Sequence, residues 1–290
     1  MSTDRSIFSV TGSDHVDFLQ GLVTNDVAKL KDGLVYAALL TPQGKYLADF
    51  FLAPGDDAIL IDIKTDIAAA TMQRLAMYKL RADVQIAESP LTVGCGTGPM
   101  PEGAFADPRD TALGWRHYAQ TPQSDETDWA ALRVAHKIPE TGIELTPDSY
   151  ILEMDFERIG GVDFRKGCYV GQEVTARMKH KTELRKGLAQ ISISGEAPPG
   201  TPITKDGKPV GTLLTRAGDT ALAYLRFDRA NGSLAAAAAI LHRLQSSLFQ
   251  NIHCPATTCI ALGREKPAAT LAPLNSDVRA SALLDQARSE

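Results

Sequence analysis

The stretch Lys166-Gly167-Cys168-Tyr169-Val170-Gly171-Gln172-Glu173 sets a single cysteine between two glycines and beside a lysine. Glycine reaches backbone conformations closed to other residues and lets a ligand approach the main chain, so Gly167 and Gly171 mark a loop made for close contact. A neighbouring lysine favours the thiolate, the form in which sulfur attacks or binds metal. Cys168 thus reads either as a functional thiol or as a small buried hydrophobe in a glycine-punctuated turn. From Gly171 to His180 the pattern is helical, which puts Gln172, Glu173, Thr175, Ala176 and Arg177 on the first turns of a helix. A helix beginning just beyond Cys168 would add partial positive charge beside the sulfur. Glu173 and Arg177, four apart, also suit an ordinary ion pair on a solvated face.

Upstream, Ser13 or Asp14 can cap a short helix carrying Val16, Leu19 and Leu22, which stops at Asn25-Asp26. Two apolar runs, 34–40 and 46–53, flank the turn sequence Thr41-Pro42-Gln43-Gly44-Lys45 and predict a hairpin. A third strand covers 58–63, and Asp66 then caps a helix turning Ile67, Met72, Leu75, Ala76 and Leu80 toward a core. Short strands follow at 84–87 and 91–95. Asp128 caps a further helix that runs to Lys137 and ends before Pro139. With no glycine-rich phosphate loop, this mixture predicts an α+β unit rather than a dinucleotide fold.

Beyond Lys186 the texture changes to strands at 187–193, 201–204, 209–214 and 221–225, with Asp206-Gly207 and Gly218-Asp219 at turns. These predict a small β-barrel or sandwich domain. The five alanines 235–239 open a run of good helix formers to about Phe249, followed by a weakly ordered tail over 250–290. A barrel strand after Ser233-Leu234 is then missing, so that the barrel edge is either open or covered by the helix. The expected organisation is 1–150, an α+β region; 151–185, the cysteine segment completing it; 186–235, the barrel; and 236–290, helix then tail.

A chain of 290 residues buries enough core to need no staple. Its four cysteines, Cys95, Cys168, Cys254 and Cys259, are too few and irregular for a disulfide framework. His253 with Cys254 and Cys259 has a spacing at the wide end for zinc, but no second ligand pair follows, and no metal site is assigned. The start shows neither a signal nor a transit pattern, from which a cytoplasmic location is expected. No apolar run of about 18 residues suggests a membrane span. The net charge of −5 argues against non-specific nucleic-acid binding.

Together with Ala176-Arg177, Tyr78-Lys79-Leu80-Arg81 and Phe18-Leu19-Gln20-Gly21-Leu22-Val23-Thr24-Asn25-Asp26, the cysteine stretch resembles the YgfZ family of folate-binding proteins. That family is related to the T-protein aminomethyltransferase of the glycine cleavage system (GcvT), and the resemblance covers roughly residues 5–235. It implies a GcvT-like, three-lobed folate-binding fold with a C-terminal barrel. It implies tetrahydrofolate as cofactor, with Asp49, Tyr46 and Asn25 among the folate contacts. It also implies a role in assembling or repairing iron–sulfur proteins, particularly four-iron enzymes, including radical enzymes that modify transfer RNA. The motif residues Lys166, Gly167, Tyr169, Gly171, Gln172, Glu173 and Arg177 would then surround the working thiol, Cys168, and the partners would be iron–sulfur clients or assembly factors.

Two departures from the transferase pattern bear on the reaction. Its acidic pair is reduced here to Asp49 beside Ala48, and the glutamate of its Arg-x-Glu-Ala-Gly-x-Pro run is replaced by Ala135 in Arg133-Val134-Ala135-His136-Lys137-Ile138-Pro139. A pterin edge stripped of acceptors is held poorly. The sequence therefore favours a non-enzymatic assembly factor, with folate-dependent one-carbon transfer as the alternative. Soft thiolate suits iron–sulfur chemistry, yet a cluster ordinarily takes four ligands, so one cysteine would have to share it. A mixed-disulfide exchange is the other route open to Cys168.

Overall fold

The computed structural model describes residues 4–181, 183–230, 232–237 and 239–243. Five antiparallel strands form the first sheet: β1 (Arg5–Thr11), β2 (Val35–Leu40), β3 (Tyr46–Gly55), β4 (Ala58–Lys64) and β5 (Gln85–Glu88), in the order β2-β3-β4-β1-β5. The predicted hairpin is β2–β3, its turn closed by Thr41 N to Lys45 O at 2.8 Å. Every residue of β2 is buried, so this strand is covered on both faces. Val35, Ala37 and Leu39 face the side carrying α1 (His15–Gln20) and α2 (Thr65–Tyr78). Tyr36, Ala38 and Leu40 face the other core, formed with Leu145, Ile151, Phe156, Ile159 and Tyr169. The near-continuous apolar reading of 34–40 is what two-sided burial demands.

Helix α2 differs from expectation at both ends. Its cap is Lys64 without a side-chain hydrogen bond, and Asp66 lies inside the first turn. Met72 and Leu75 are buried as the spacing predicts, whereas Ala76 is exposed and Leu80 lies beyond the helix on the surface. A second sheet, β6 (Thr92–Gly96), β7 (Phe105–Ala106) and β8 (Trp115–Ala119), pairs in the order β6-β8-β7. Helix α3 (Trp129–His136) begins as predicted, with Asp128 accepting from Ala131 N at 3.0 Å.

The C-terminal strands close a barrel: β9 (Lys186–Ser194), β10 (Pro202–Lys205), β11 (Lys208–Ala217), β12 (Thr220–Arg226), β13 (Ser233–Ala236) and β14 (Ala239–Arg243), ordered β10-β11-β12-β9-β14-β13. The expected helix from Ala235 is therefore two strands as far as it is described, and among the described residues the barrel closes with no open edge. Burial alternates along them, with Leu234, Ala236, Ala239 and Leu241 inside and Ala235 and Ile240 outside. Helix propensity among alanines is worth only tenths of a kcal/mol per residue, and pairing with β9 and β10 overrides it. Residues 244–290, with His253, Cys254, Cys259 and the expected tail, lie outside the described residues. Leu188 and Leu222 point out of the barrel and join the core against β2 and β3.

Candidate functional site

Cys168 is exposed and free, on a loop that leads from Asp163 into α4 (Gln172–Lys181). It and Gly167 are exposed between two buried residues, Lys166 and Tyr169. The Lys166 ammonium donates to the carbonyls of Gln20 at 2.6 Å and Val23 at 2.5 Å, at the C-terminal end of α1. Burial pushes its pKa down to about 8, against the pull of Asp26 and Asp163. This corrects the role expected for it, since the lysine straps the loop to α1 instead of serving the sulfur. Its Nζ also lies 5.1 Å from the Tyr169 ring, whose phenol burial raises to about 12.

The two glycines differ. Gly171 takes a φ of +85°, and a Cβ there would lie 2.6 Å from the Thr41 carbonyl and 3.2 Å from Gly44 Cα. Gly44, at φ +74°, meets Val174 of α4 in the same way. The hairpin turn and the start of α4 therefore touch backbone to backbone. Around Gly167 a Cβ would meet nothing within 4 Å, and its φ is not positive, so the requirement for glycine read from the sequence holds at Gly171 only. Cys168 precedes Gln172 by four residues, outside the turn over which a helix dipole acts. Gln172 Nε2 reaches Gly167 O at 3.5 Å, closing the loop loosely. Glu173 and Arg177 are both exposed and form no ion pair among the described residues.

A second cluster surrounds Asp49 on β3. Its carboxylate is buried and accepts from Tyr46 Oη at 2.5 Å, from Tyr36 Oη at 2.9 Å and from Thr141 Oγ1. Burial first, and the adjacent Asp49 charge second, raise both phenols far above their ordinary pKa, so both remain donors. Asn25 is saturated as well: its amide donates to Tyr36 O at 2.8 Å and Gly160 O at 2.7 Å, while Oδ1 accepts from Asp26 N and Lys29 Nζ. Nearby, Arg133 pairs with Glu140 at 2.6 Å and Glu144 at 3.5 Å, leaving Nε and Nη1 without hydrogen bonds. Ala135 is exposed, its carbonyl taken by Gln190 of β9 at 3.2 Å.

These residues offer tetrahydrofolate few free acceptors. The amino and ring N–H groups of a pterin need acceptors, and here the acceptors Asp49 and Asn25 are already engaged while the spare groups on Arg133 are donors. Two surface clefts, of about 330 and 430 Å³, are lined from Val16, Ile59 and their neighbours and from Leu60, Tyr118 and theirs, and neither includes Asp49 or Cys168. Isothermal calorimetry with tetrahydrofolate is expected to show no saturable heat. Stoichiometric binding abolished by Asp49→Asn would reverse that expectation.

Residues 185–247 match the family described as the CAF17 C-terminal beta-barrel domain, in agreement with the closed barrel. Over 278 residues the chain is 30% identical to the mitochondrial iron–sulfur cluster assembly factor IBA57 of Mus musculus, covering 79% of this chain and 78% of the mouse protein. The chain belongs to the IBA57 family. The human IBA57 protein is 29% identical, with the same two coverages of 79% and 78%. The aminomethyltransferase T of the glycine cleavage system from Bartonella henselae shares the fold, with a TM-score of 0.65 over 84% of each chain at 12% identity. The GcvT-like α+β fold with its barrel thus stands as expected from the sequence, and the named relatives are iron–sulfur assembly factors of the IBA57 family rather than YgfZ in particular. These relatives are named mitochondrial, which corrects the cytoplasmic location inferred from composition near the first residue.

Among the described residues no group of three or more His, Cys, Asp or Glu side chains is arranged to hold a metal ion. Sequence reasoning singled out Cys168 but missed the partners of Asp49. Nothing local to Tyr36 or Thr141 announces that they converge on one carboxylate from β2 and from the loop after α3.

Proposed function

We propose that this IBA57-family chain assists the assembly or repair of iron–sulfur proteins, four-iron enzymes in particular, and that Cys168 is its point of contact with the cluster or the client. The observation that carries this reading is an exposed thiol on a loop whose flanks are fixed: Lys166 is tied to α1, Tyr169 is buried, and Gly171 is wedged against the hairpin. Such a loop presents sulfur at a defined position without burying it. A cluster ordinarily takes four ligands, so cargo meeting Cys168 would be shared with a partner protein that supplies the remainder. Radical enzymes that modify transfer RNA are among the four-iron clients this reading includes.

The test is Cys168→Ala as the sole copy in cells depleted of the endogenous protein. Four-iron enzyme activity is expected to fall under oxidative stress, while protein level and melting temperature stay unchanged because the side chain is exposed. Normal activity at normal protein level would sink the assignment. Turnover of an aminomethyl-tetrahydrofolate by the purified chain with a carrier would favour one-carbon transfer, and none is expected with Asp49 closed among hydroxyls.

A further inference from the structure

The charge of −5 is not spread evenly along the chain. Positions 1–164 carry 25 acidic residues against 13 lysines and arginines, whereas positions 165–186 carry two acidic residues against seven lysines and arginines. That second stretch is the cysteine loop, α4 and the entry to β9. The thiol therefore stands in a short cationic segment that follows a long anionic one.

Loop and helix form one unit. Along α4, Thr175 is buried and Val174 and Met178 are half-buried, so Glu173, Arg177 and His180 make the solvent stripe at helical spacing. The loop starts against the C-terminal end of this helix: the Phe164 ring lies 6.3 Å from the His180 ring, edge to face, and 5.5 Å from Lys179 Nζ. It ends at the N-terminal end, where Gly171 leads into Gln172. Cys168 is thus held between the two ends of α4. Three residues span at most about 11 Å, which bounds the distance of the Cys168 Cα from those of Arg165 and Gly171, and six helical residues take Gly171 to Arg177 in about 9 Å. Both arginines accordingly lie within about 20 Å of the thiol, inside the breadth of a patch of about 800 Å².

Arg165 and Arg177 are exposed, and neither is in an ion pair among the described residues. Asp163, which feels the Arg165 charge, is paired with Lys29 at 2.7 Å, and Lys179 is taken by Glu157. Glu173, the acid on the stripe, sits in the first turn, where it complements the helix dipole. A solvated arginine is ordinary by itself. Two without partners, on either side of the exposed thiol and in the segment where the chain's charge reverses, form a local cationic field.

We propose that Arg165 and Arg177 make the cysteine loop and α4 a cationic landing for the acidic face of the protein that engages Cys168, and to that extent the proposal rests on the function proposed above. An acidic partner is repelled by the anionic region and attracted at this segment, which turns its face toward the sulfur. A cluster held by thiolates adds to the attraction, since sulfide and thiolate together outweigh the iron charge. Three other occupants fit less well. Single-stranded nucleic acid stacks its bases on exposed aromatic rings, and here Phe164 is half-buried and Tyr169 buried. A membrane needs apolar side chains to insert, and no large one between 165 and 186 is exposed among the described residues. A second copy would offer its acidic region, whose one cysteine, Cys95, is buried and so placed to complete no shared cluster.

The test is the double charge reversal Arg165→Glu/Arg177→Glu. On the purified full chain, Cys168 is titrated with dithiobis-nitrobenzoate, a dianion, and with dithiodipyridine, which is uncharged; the rates of Cys168→Ala are subtracted to remove the other cysteines. The ratio of the two rates cancels any change in the thiol's own pKa. At low salt the ratio is expected to fall at least about threefold in the double variant, and the difference to vanish in about 0.5 M salt. An unchanged ratio overturns the proposal. In cells depleted of the endogenous protein, the double variant should lower four-iron enzyme activity at least about fivefold at normal protein level and melting temperature, both arginines being exposed. Full activity there overturns the landing, and if Cys168→Ala still fails, the thiol reading survives it. Loss in the double variant with normal Cys168→Ala supports the landing and removes the thiol. A photo-crosslinking residue at position 180 should capture an acidic protein and lose that adduct when Arg165 and Arg177 are reversed. An adduct with RNA, lipid or a second copy of this chain counts against the proposal.

Discussion

Asp62→Ala is expected to destabilise the chain by about 3–5 kcal/mol, the largest loss available from one side chain here. Asp62 sits fully buried in the middle of β4. Arg5 bonds its Oδ1, while Arg116 donates to Oδ2 from Nε at 3.0 Å and Nη2 at 2.7 Å, and Tyr118 Oη adds a bond at 2.9 Å. Removing the carboxylate strands Arg116, itself buried, with only Asp107 at 3.8 Å for charge. Chemical denaturation of the parent and variant measures the difference, and a loss below about 1 kcal/mol would show that the network is not what joins β8 to the main sheet. The same group sets an acid limit. Burial alone would raise its pKa, but Arg116 and Arg5 outweigh burial and hold it below the usual 3.8. A carboxylate depressed in the folded state contributes its stability above the unfolded pKa and loses it as pH falls through the folded one. Melting of the parent should therefore drop below about pH 4, and Asp62→Asn should lose much of that dependence.

The second large effect is at Gly171. Gly171→Ala forces a Cβ to within 2.6 Å of the Thr41 carbonyl at a φ of +85°, so either the hairpin turn or the start of α4 must move. The expected destabilisation is about 2–4 kcal/mol. Gly167→Ala, four residues earlier, meets nothing and should change stability by less than about 0.5 kcal/mol. Equal effects of the two substitutions, read by thermal melting, would mean that the backbone contact between Gly44 and Gly171 is not formed. Four-iron enzyme activity should follow Gly171→Ala downward, because the loop carrying Cys168 loses one of the contacts that fix it.

Strands and helices with a clean period were legible in the sequence. The β2–β3 hairpin announced itself by turn residues between two apolar runs, and α3 by Asp128 and Pro139. What the sequence hid was long-range. The alanines at 235–239 favour a helix locally, and only the pairing of Leu241 with Ile193 and of Ala235 with Thr204 places Ala235, Ala236 and Ala239 in strands. A charged residue amid Ile59, Leu60, Ile61 and Ile63 was a visible sign that Asp62 must have buried partners, yet nothing in the local pattern named Arg5 or Arg116.

In the cysteine stretch, the need for glycine at Gly171 was legible from the spacing, and its φ of +85° meets it. Lys166 was noticed for the wrong reason, since adjacency along the chain says little about where a long side chain ends. Its carbonyl partners lie 146 and 143 residues away in sequence. Asp49 stood out as the remnant of an acidic pair, but whether a carboxylate faces a ligand or a ring of hydroxyls depends on residues from β2 and from the loop after α3.

The barrel's ring is sealed by its first strand pairing with its last, Ser192 opposite His242. A polypeptide made from the N-terminus thus carries β9 as an unpaired edge until the final strand emerges, and domains that fold during synthesis are vulnerable to association in that interval. A premature stop after Arg226 and before Ile240 would leave the protein not merely shorter but sticky. Nonsense or frameshift alleles of this kind would be cleared as aggregates even though every residue around Cys168 had already been made.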